Sequence, residues 1–227
     1  MDVLYCSNDL YYLTLLGCSP FNTIMPLKQM NFAFLLFCIP YIVSRQSFIH
    51  GAQNVEMKGK SIIYPNVHIR GDMTNIRIGR YCTIGSNTII RPSTYQTSLS
   101  SSSSSSSRNT KDTIHFLPSL IGNHTRIGSN CVIESASIGS CVYIANNVVL
   151  SKRVVIKDCC YIEEGTVIPS DMVIPPFSRV GGCPGKIMDD SNSGVVDPHL
   201  VIPESVAVTF VDDCIRHFAE FVEGLDA

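Results

Sequence analysis

From Ile138 to Val180 an aliphatic residue returns every six positions: Ile138, Ile144, Leu150, Ile156, Ile162, Ile168, Ile174 and Val180. A helix repeats about every 3.6 residues and a strand about every two, so neither accounts for this beat. A hexapeptide coil does. Each hexad forms one flat side of a parallel β-helix, and three hexads close a coil of about eighteen residues. The beat extends upstream in two blocks. Ile63 and Ile69 are followed by Ile78, Ile84 and Ile90, with Gly71-Asp72-Met73-Thr74-Asn75 shifting the frame between them. Ile121, Ile127 and Ile133 lead into Ile138 after a one-residue slip. Four residues after most of these aliphatics stands a small or β-branched residue, among them Cys82, Thr88, Thr125, Cys131, Val142, Val148, Val154, Cys160 and Thr166. Short buried strands favour such residues. The pattern predicts coils over 44–94 and 119–186, roughly six in all, stacked through parallel ladders about 4.8 Å apart.

The segments off the beat read differently. Residues 95–118 contain Ser100–Ser107, an unbroken serine run. With no apolar area to bury, this stretch is expected as a solvated insertion loop leaving the coil at a corner. Gly181-Gly182-Cys183-Pro184-Gly185 ends the repeat, and 187–203 reads as a linker. Val206, Phe210, Val211, Cys214, Ile215, Phe218, Phe221 and Val222 then recur at helical spacing. They predict an amphipathic helix over 204–225 whose apolar face packs on a side of the prism. The fold class is therefore all-β, a parallel β-helix of hexapeptide repeats with a C-terminal α-helix packed on it. Residues 1–43 form an atypical apolar extension. Its stronger patch, Asn31–Val43, holds Pro40 and is too short to predict a membrane span. No basic segment opens the chain as a secretory signal would.

Apolar residues make up 45% of the chain, charged residues 16%, and the net charge is −2. This supports a large core and argues against nucleic acid or an anionic membrane surface as a general partner. The ten cysteines form no CxxC pair. Buried free thiols in a reducing compartment are expected, not a disulfide scaffold or a structural zinc site.

The segment Ile69-Arg70-Gly71-Asp72-Met73-Thr74-Asn75-Ile76-Arg77-Ile78-Gly79 resembles the γ-class carbonic anhydrase family. That resemblance implies a left-handed coil. It puts Arg70 and Asp72 at positions that organise the family's site and subunit contact. By the same resemblance, the family's glutamine falls on Gly85 and its three zinc-binding histidines on Arg91, Ser129 and Glu134. None of these is a histidine. Arg91 would set a cation where the metal belongs, and an Arg91–Glu134 pair is expected instead. No metal or other cofactor is expected, and Arg70, Asp72, Arg91 and Glu134 are candidates for structural or interface roles. The six histidines, His50, His68, His115, His124, His199 and His217, stand singly, and His68 and His124 are expected to point outward. The enzymatic alternative to an anhydrase is a hexapeptide acyltransferase, which uses one histidine as a general base. His115 or His124 would be the nominee, and Gly182-Cys183-Pro184-Gly185-Lys186 loosely resembles the closing turn of those enzymes.

Further strings are more specific than the hexads. Val43–Asn54, the Arg70–Asp72 turn with Ile76–Gly79, Ile89–Pro92, Val155–Cys160, Val173–Phe177 and Gly182–Gly185 together resemble the dynactin subunit 5 family. Residues 1–42 and the serine run depart from that family's pattern. The resemblance implies a non-catalytic subunit of the dynactin pointed-end complex. Its implied neighbours are dynactin subunit 6, the zinc-binding dynactin subunit 4 and the pointed-end actin-related protein, with dynein adaptors and cargo such as endosomes reached indirectly. The implied location is the cytoplasm and cytoskeleton, with centrosome and kinetochore as further sites, and no direct membrane insertion. One end of the prism is expected to dock dynactin subunit 6 and the other to face the filament, because open strand edges need cover.

Overall fold

The computed structural model describes residues 11–13, 41–97, 113–188 and 202–226. The serine run, the apolar patch up to residue 40 and the linker from 189 to 201 lie outside the described residues. Three sheets form the sides of a left-handed triangular prism. The first face holds Tyr41–Ser44, Ser61–Ile63, Thr83–Ile84, Arg126–Ile127, Tyr143–Ile144, Tyr161–Ile162 and Arg179–Gly181 in parallel order. The second holds Phe48–His50, His68–Arg70, Ile89–Ile90, Val132–Ile133, Val149–Leu150 and Val167–Ile168. The third holds Val55–Gly59, Ile76–Arg80, Ser119–Ile121, Ser137–Ile138, Val155–Ile156 and Val173–Ile174. The two six-stranded sheets give six full turns.

The six-residue beat is the interior. On the first face Ile84, Ile127, Ile144, Ile162 and Val180 lie directly over one another. On the second the column is Ile69, Ile90, Ile133, Leu150 and Ile168. On the third it is Met57, Ile78, Ile121, Ile138, Ile156 and Ile174. These columns merge into one buried cluster with the residues four positions on, such as Cys82, Cys131, Val142, Val148, Val154 and Cys160. The corners are made by single residues of positive φ, including Asn66, Asn87, Asn130 and Asn147 along one edge of the prism. Asn tolerates this left-handed bend better than most residues.

Three boundaries differ from the sequence reading. The first coil begins at Tyr41, because Tyr41–Ser44 pairs in parallel with Ser61–Ile63. Upstream, Tyr11–Leu13 lies antiparallel on that strand. The insertion expected as a loop from 95 begins and ends as strands. Ser93–Thr97 and Thr113–Leu117 pair antiparallel as the base of a hairpin. The alternation Thr94, Tyr95, Gln96 and Ile114, His115, Phe116 was legible there, but the adjoining serines masked it. At the far end Lys186–Ile187, expected to lie at the edge of the linker, folds back antiparallel on Arg179–Gly181.

The helix spans Val206–Asp226 and packs outside the first face. Cys214, Phe218 and Val222 recur every four residues and are its buried positions. Phe218 and Val222 meet Ile42 and Ile62, the outward residues of the first two coils. Phe210 meets the edge of Tyr143 at 6.3 Å. The helix therefore runs back along the stack. The stretch from Phe210 to Val222 covers about 18 Å, close to the four ladder steps of about 4.8 Å between the Tyr143 and Ile42 strands. The apolar face is narrower than expected, since Val206 and Ile215 are exposed.

Candidate functional site

Arg70, Asp72, Arg91 and Glu134 all lie on one edge of the prism, where the second face turns into the third. Arg91 and Glu134 each follow an inward isoleucine of the second face, Ile90 and Ile133, which are paired in register. The Arg91 N–H donates to the Ile133 carbonyl at 3.0 Å, and the Glu134 N–H to the Leu150 carbonyl at 3.0 Å. This stacking puts the guanidinium of Arg91 on the carboxylate of Glu134, and the two form an ion pair. The Glu134 side chain is 11% exposed and that of Arg91 is 51% exposed. A largely buried carboxylate is thus neutralised by a cation reaching in from solvent.

One coil before Arg91 on the same edge, Arg70 grips Asp72 through Nε and Nη2, at 2.8 and 2.9 Å. That hydrogen bond holds the Asp72 carboxyl below its ordinary pKa, although both side chains face solvent. The turn between them is fixed from below, where Asn54 Nδ2 donates to the Gly71 carbonyl at 2.8 Å. The structure brings Arg70 to Asp72 and Arg91 to Glu134.

Three residues of this edge escaped the sequence reading. Ser93 Oγ donates to the Glu134 carbonyl and accepts the Arg153 N–H at 2.9 Å. Arg153 Nη1 donates to the Thr94 carbonyl at 3.0 Å. The rest of its guanidinium binds Asp171 at 2.5 and 2.6 Å, which pulls the Asp171 carboxyl below its ordinary pKa. Arg153 and Asp171 are 18 residues apart, one coil, so opposite charge at that spacing was the available signal. Together Ser93 and Arg153 clamp the root of the hairpin to the next coils. Above the clamp, Thr94, Ile114, Phe116, Lys152 and Arg153 line an open notch, and the hairpin presents Tyr95, Ile114 and Phe116 to solvent.

The remaining carried-over positions do not join this edge. Ser129 lies at the corner between the first and second faces, where its N–H donates to Asn146 Oδ1 at 2.9 Å. Gly85 is closed to any side chain, because a Cβ there would stand 2.5 Å from the backbone of Gly128. No glutamine fits in its place. Among the described residues, no group of three or more His, Cys, Asp and Glu is placed to hold a metal ion.

The histidines sit apart from the Arg91–Glu134 pair. His68 points outward and stacks on Phe48 at 4.7 Å. His124 stacks on Tyr81 at 5.4 Å, and burial lowers its pKa. His115 lies on the hairpin against Tyr95 at 5.1 Å, and His50 is exposed. His217 is on the helix with a buried Nδ1 that has no hydrogen-bond partner among the described residues. Burial, then Arg126, lowers its pKa. His199 lies outside the described residues.

Residues 35–199 match the dynactin subunit 5 family. The chain belongs to the dynactin subunit 5 family. Dynactin subunit 5 of Dictyostelium discoideum is 43% identical over 98 residues, which is 43% of each protein. A mitochondrial gamma carbonic anhydrase 2 of Arabidopsis thaliana is 28% identical over 163 residues, covering 72% of this chain and 51% of the relative. The chain thus spans about half or less of the length of these curated relatives. Among solved structures, a hexapeptide transferase family protein from Anaplasma phagocytophilum superposes with a TM-score of 0.53 at 15% identity, over 82% of this chain and 95% of that one. At that identity the likeness concerns the fold alone. In this dynactin subunit 5 family member, no described helix is long and apolar enough to cross a membrane.

Proposed function

We propose that this chain is a non-catalytic scaffold subunit of a dynactin pointed-end complex in the cytoplasm, serving dynein-driven transport and cargo recruitment. The observation that carries this reading, beyond family membership, is the Arg91–Glu134 ion pair. It fills with a neutralised salt bridge the corner where a zinc-binding relative would need imidazoles. Closed Gly85 supports it further, since the companion glutamine has no room.

In this reading the working surfaces are the ends and edges of the prism. One end docks dynactin subunit 6 and the other faces the filament, with dynactin subunit 4 and the pointed-end actin-related protein as the further neighbours in the complex. Arg70 and Asp72 are surface residues on the edge near the first coils. Unpaired backbone groups on the terminal strands supply the drive for such docking. Adaptors and cargo are reached through the assembled complex.

The test is co-expression of the full chain with dynactin subunit 6, followed by size measurement, metal analysis and pull-down from cell extract with mass spectrometry. A defined hetero-complex without bound zinc that captures dynactin components is the expected result. A homotrimer with stoichiometric zinc, with carbon dioxide hydration or with acyl transfer would overturn it.

A further inference from the structure

One edge of the prism, between the third and first faces, is a column of bend residues. Lys60, Tyr81, His124, Cys141, Cys159 and Phe177 occupy it in successive coils, all with positive φ. Their side chains project outward over one another. The Lys60 ammonium lies 5.4 Å from the Tyr81 ring centre, and Tyr81 stacks on His124. The next two rungs are both cysteines.

Cys141 and Cys159 are held in register on either side. The Cys159 N–H donates to the Ser140 carbonyl at 2.9 Å, and the Tyr143 N–H to the Cys160 carbonyl at 2.9 Å. Beside them Tyr143 and Tyr161 stack at 4.9 Å with an interplanar angle of 7°. Cys141 and Cys159 therefore stand at the same bend of adjacent coils, one above the other. Both are free and only partly buried. The inward thiols differ. Cys82, Cys131 and Cys160 donate to carbonyls of Gly122, Ala145 and Pro175 at 3.0, 3.2 and 3.1 Å.

We propose that Cys141 and Cys159 are a redox-modification site that reacts with a low-molecular-weight disulfide, such as glutathione disulfide, and closes reversibly into a bond between neighbouring coils. Equivalent residues of adjacent coils lie about 4.8 Å apart, within the Cα separation of about 4.4–6.8 Å that a disulfide spans. Cys159 is the attacking sulfur, because burial raises its thiol less strongly than that of Cys141 and leaves it the larger thiolate fraction. Its thiolate attacks one sulfur of glutathione disulfide, forming a mixed disulfide and expelling one glutathione thiolate, which takes a proton from water. Cys141 then loses its proton to solvent and attacks the Cys159 sulfur, expelling the second glutathione. Two protein thiols and one glutathione disulfide become one protein disulfide and two glutathione thiols, with no other oxidant. Burial pushes the Cys141 thiol up to about 11 and raises that of Cys159 as well. The exchange is therefore slow at neutral pH and quickens with alkali.

The experiment treats the full-length chain with glutathione disulfide at pH 7 and pH 9, quenches free thiols and maps peptides without reduction. A Cys141–Cys159 linked peptide should form, at least about tenfold faster at pH 9, and a dithiol should reverse it. Cys141→Ser should trap glutathione on Cys159, and Cys159→Ser should leave Cys141 unmodified. Wild-type chain in which both thiols stay free while exposed Cys183 is glutathionylated would overturn the proposal. So would separate glutathione adducts on Cys141 and Cys159 that never resolve. The wild-type mapping decides the matter even if a serine variant folds poorly.

Discussion

Phe218→Ala should release the C-terminal helix and leave the coils folded. The buried side chains fall into two clusters. One fills the prism from Val43 to Val180. The other is the outer contact of Ile42, Ile62, Phe218 and Val222, flanked by Tyr64, Tyr81 and Phe221. Phe218 is 3% exposed and meets the edge of Tyr81 at 6.1 Å. Full burial of Phe218 and Val222 contributes about 1.5–3 kcal/mol each. Truncating a buried Phe to Ala removes about 3–5 kcal/mol, comparable with the whole apolar contribution of the pair. A helix of 21 residues is marginal in water without such packing. The reporter is Cys214, which the docked helix buries and whose thiol burial pushes up to about 12. Once released, it should relax toward the ordinary value of about 8.5 and react with a thiol reagent on the timescale of an exposed cysteine. Hydrogen exchange read in parallel should show protection lost over 206–226 and kept at the Ile144, Ile162 and Val180 strands. Loss of protection in the coils together with the helix would refute the two-cluster reasoning. So would a Cys214 that stays unreactive in the variant.

Other expectations follow from the same packing. Ile162→Ala empties one rung between Ile144 and Val180 and should lower global stability by about 2–5 kcal/mol, read as a fall in denaturant midpoint with an unchanged slope. For the Arg91–Glu134 pair, a double-mutant cycle with Arg91→Met and Glu134→Gln should give a coupling of about 1–2 kcal/mol, reduced from a fully buried pair because Arg91 is half exposed. Arg91→Met alone should destabilise more than Glu134→Gln, since it strands a largely buried carboxylate; equal effects with no coupling would contradict the pairing. Burial holds His124 and His217 below the ordinary imidazole value of 6.5, so the unfolded chain takes up protons first. Their contribution to stability is present above pH ~6.5 and is lost as pH falls below it. Denaturation midpoints measured from pH 8 to pH 5 should decline in that window, and His217→Leu should flatten the decline.

The interior was legible because a repeat writes the same constraint many times. Each of Ile144, Ile162 and Val180 meets its copy one coil away, so a single frame predicts every rung. The helix was legible for a related reason, as Cys214, Phe218 and Val222 keep a four-residue step. The residues on the outer edges were harder. Arg91 and Glu134 came through their mismatch with a family pattern. The contact between Ser93 and Arg153 carried no local signal, because the two lie 60 residues apart along the chain. The insertion resets the count between them. The hairpin was hidden because serine is compatible with any backbone, and its alternating flanks are only five residues long on each side. The thiol pair at Cys141 and Cys159 was visible as an 18-residue spacing but was read only as buried free thiols. Its meaning depends on the left-handed bend that turns both side chains outward.

The two ends of the prism are not alike, and that bears on how such a subunit stacks. At the start, Tyr11–Leu13 covers the first face, while Phe48–His50 and Val55–Gly59 are the terminal strands of the other two. At the finish, Lys186–Ile187 covers the first face. The closing turn covers the second, with the Val167 N–H donating to the Gly182 carbonyl at 3.2 Å and the Gly185 N–H to the Val167 carbonyl at 2.7 Å. Val173–Ile174 is the terminal strand of the third face, and Val173 is 58% exposed. Two faces are thus open at one end and one at the other, among the described residues. A prism with identical open ends would add copies of itself head to tail into a fibre. Here the antiparallel strands at both ends of the first face block that continuation, because a parallel coil cannot extend an antiparallel edge without breaking register. A different subunit that leaves the first face alone and pairs with the open faces meets no such obstacle. Deleting residues 1–40 and replacing 186–188 with a glycine linker should therefore convert a finite species into concentration-dependent oligomers by light scattering. A truncated chain that stays the same size at all concentrations would show that something other than the capped face sets the limit.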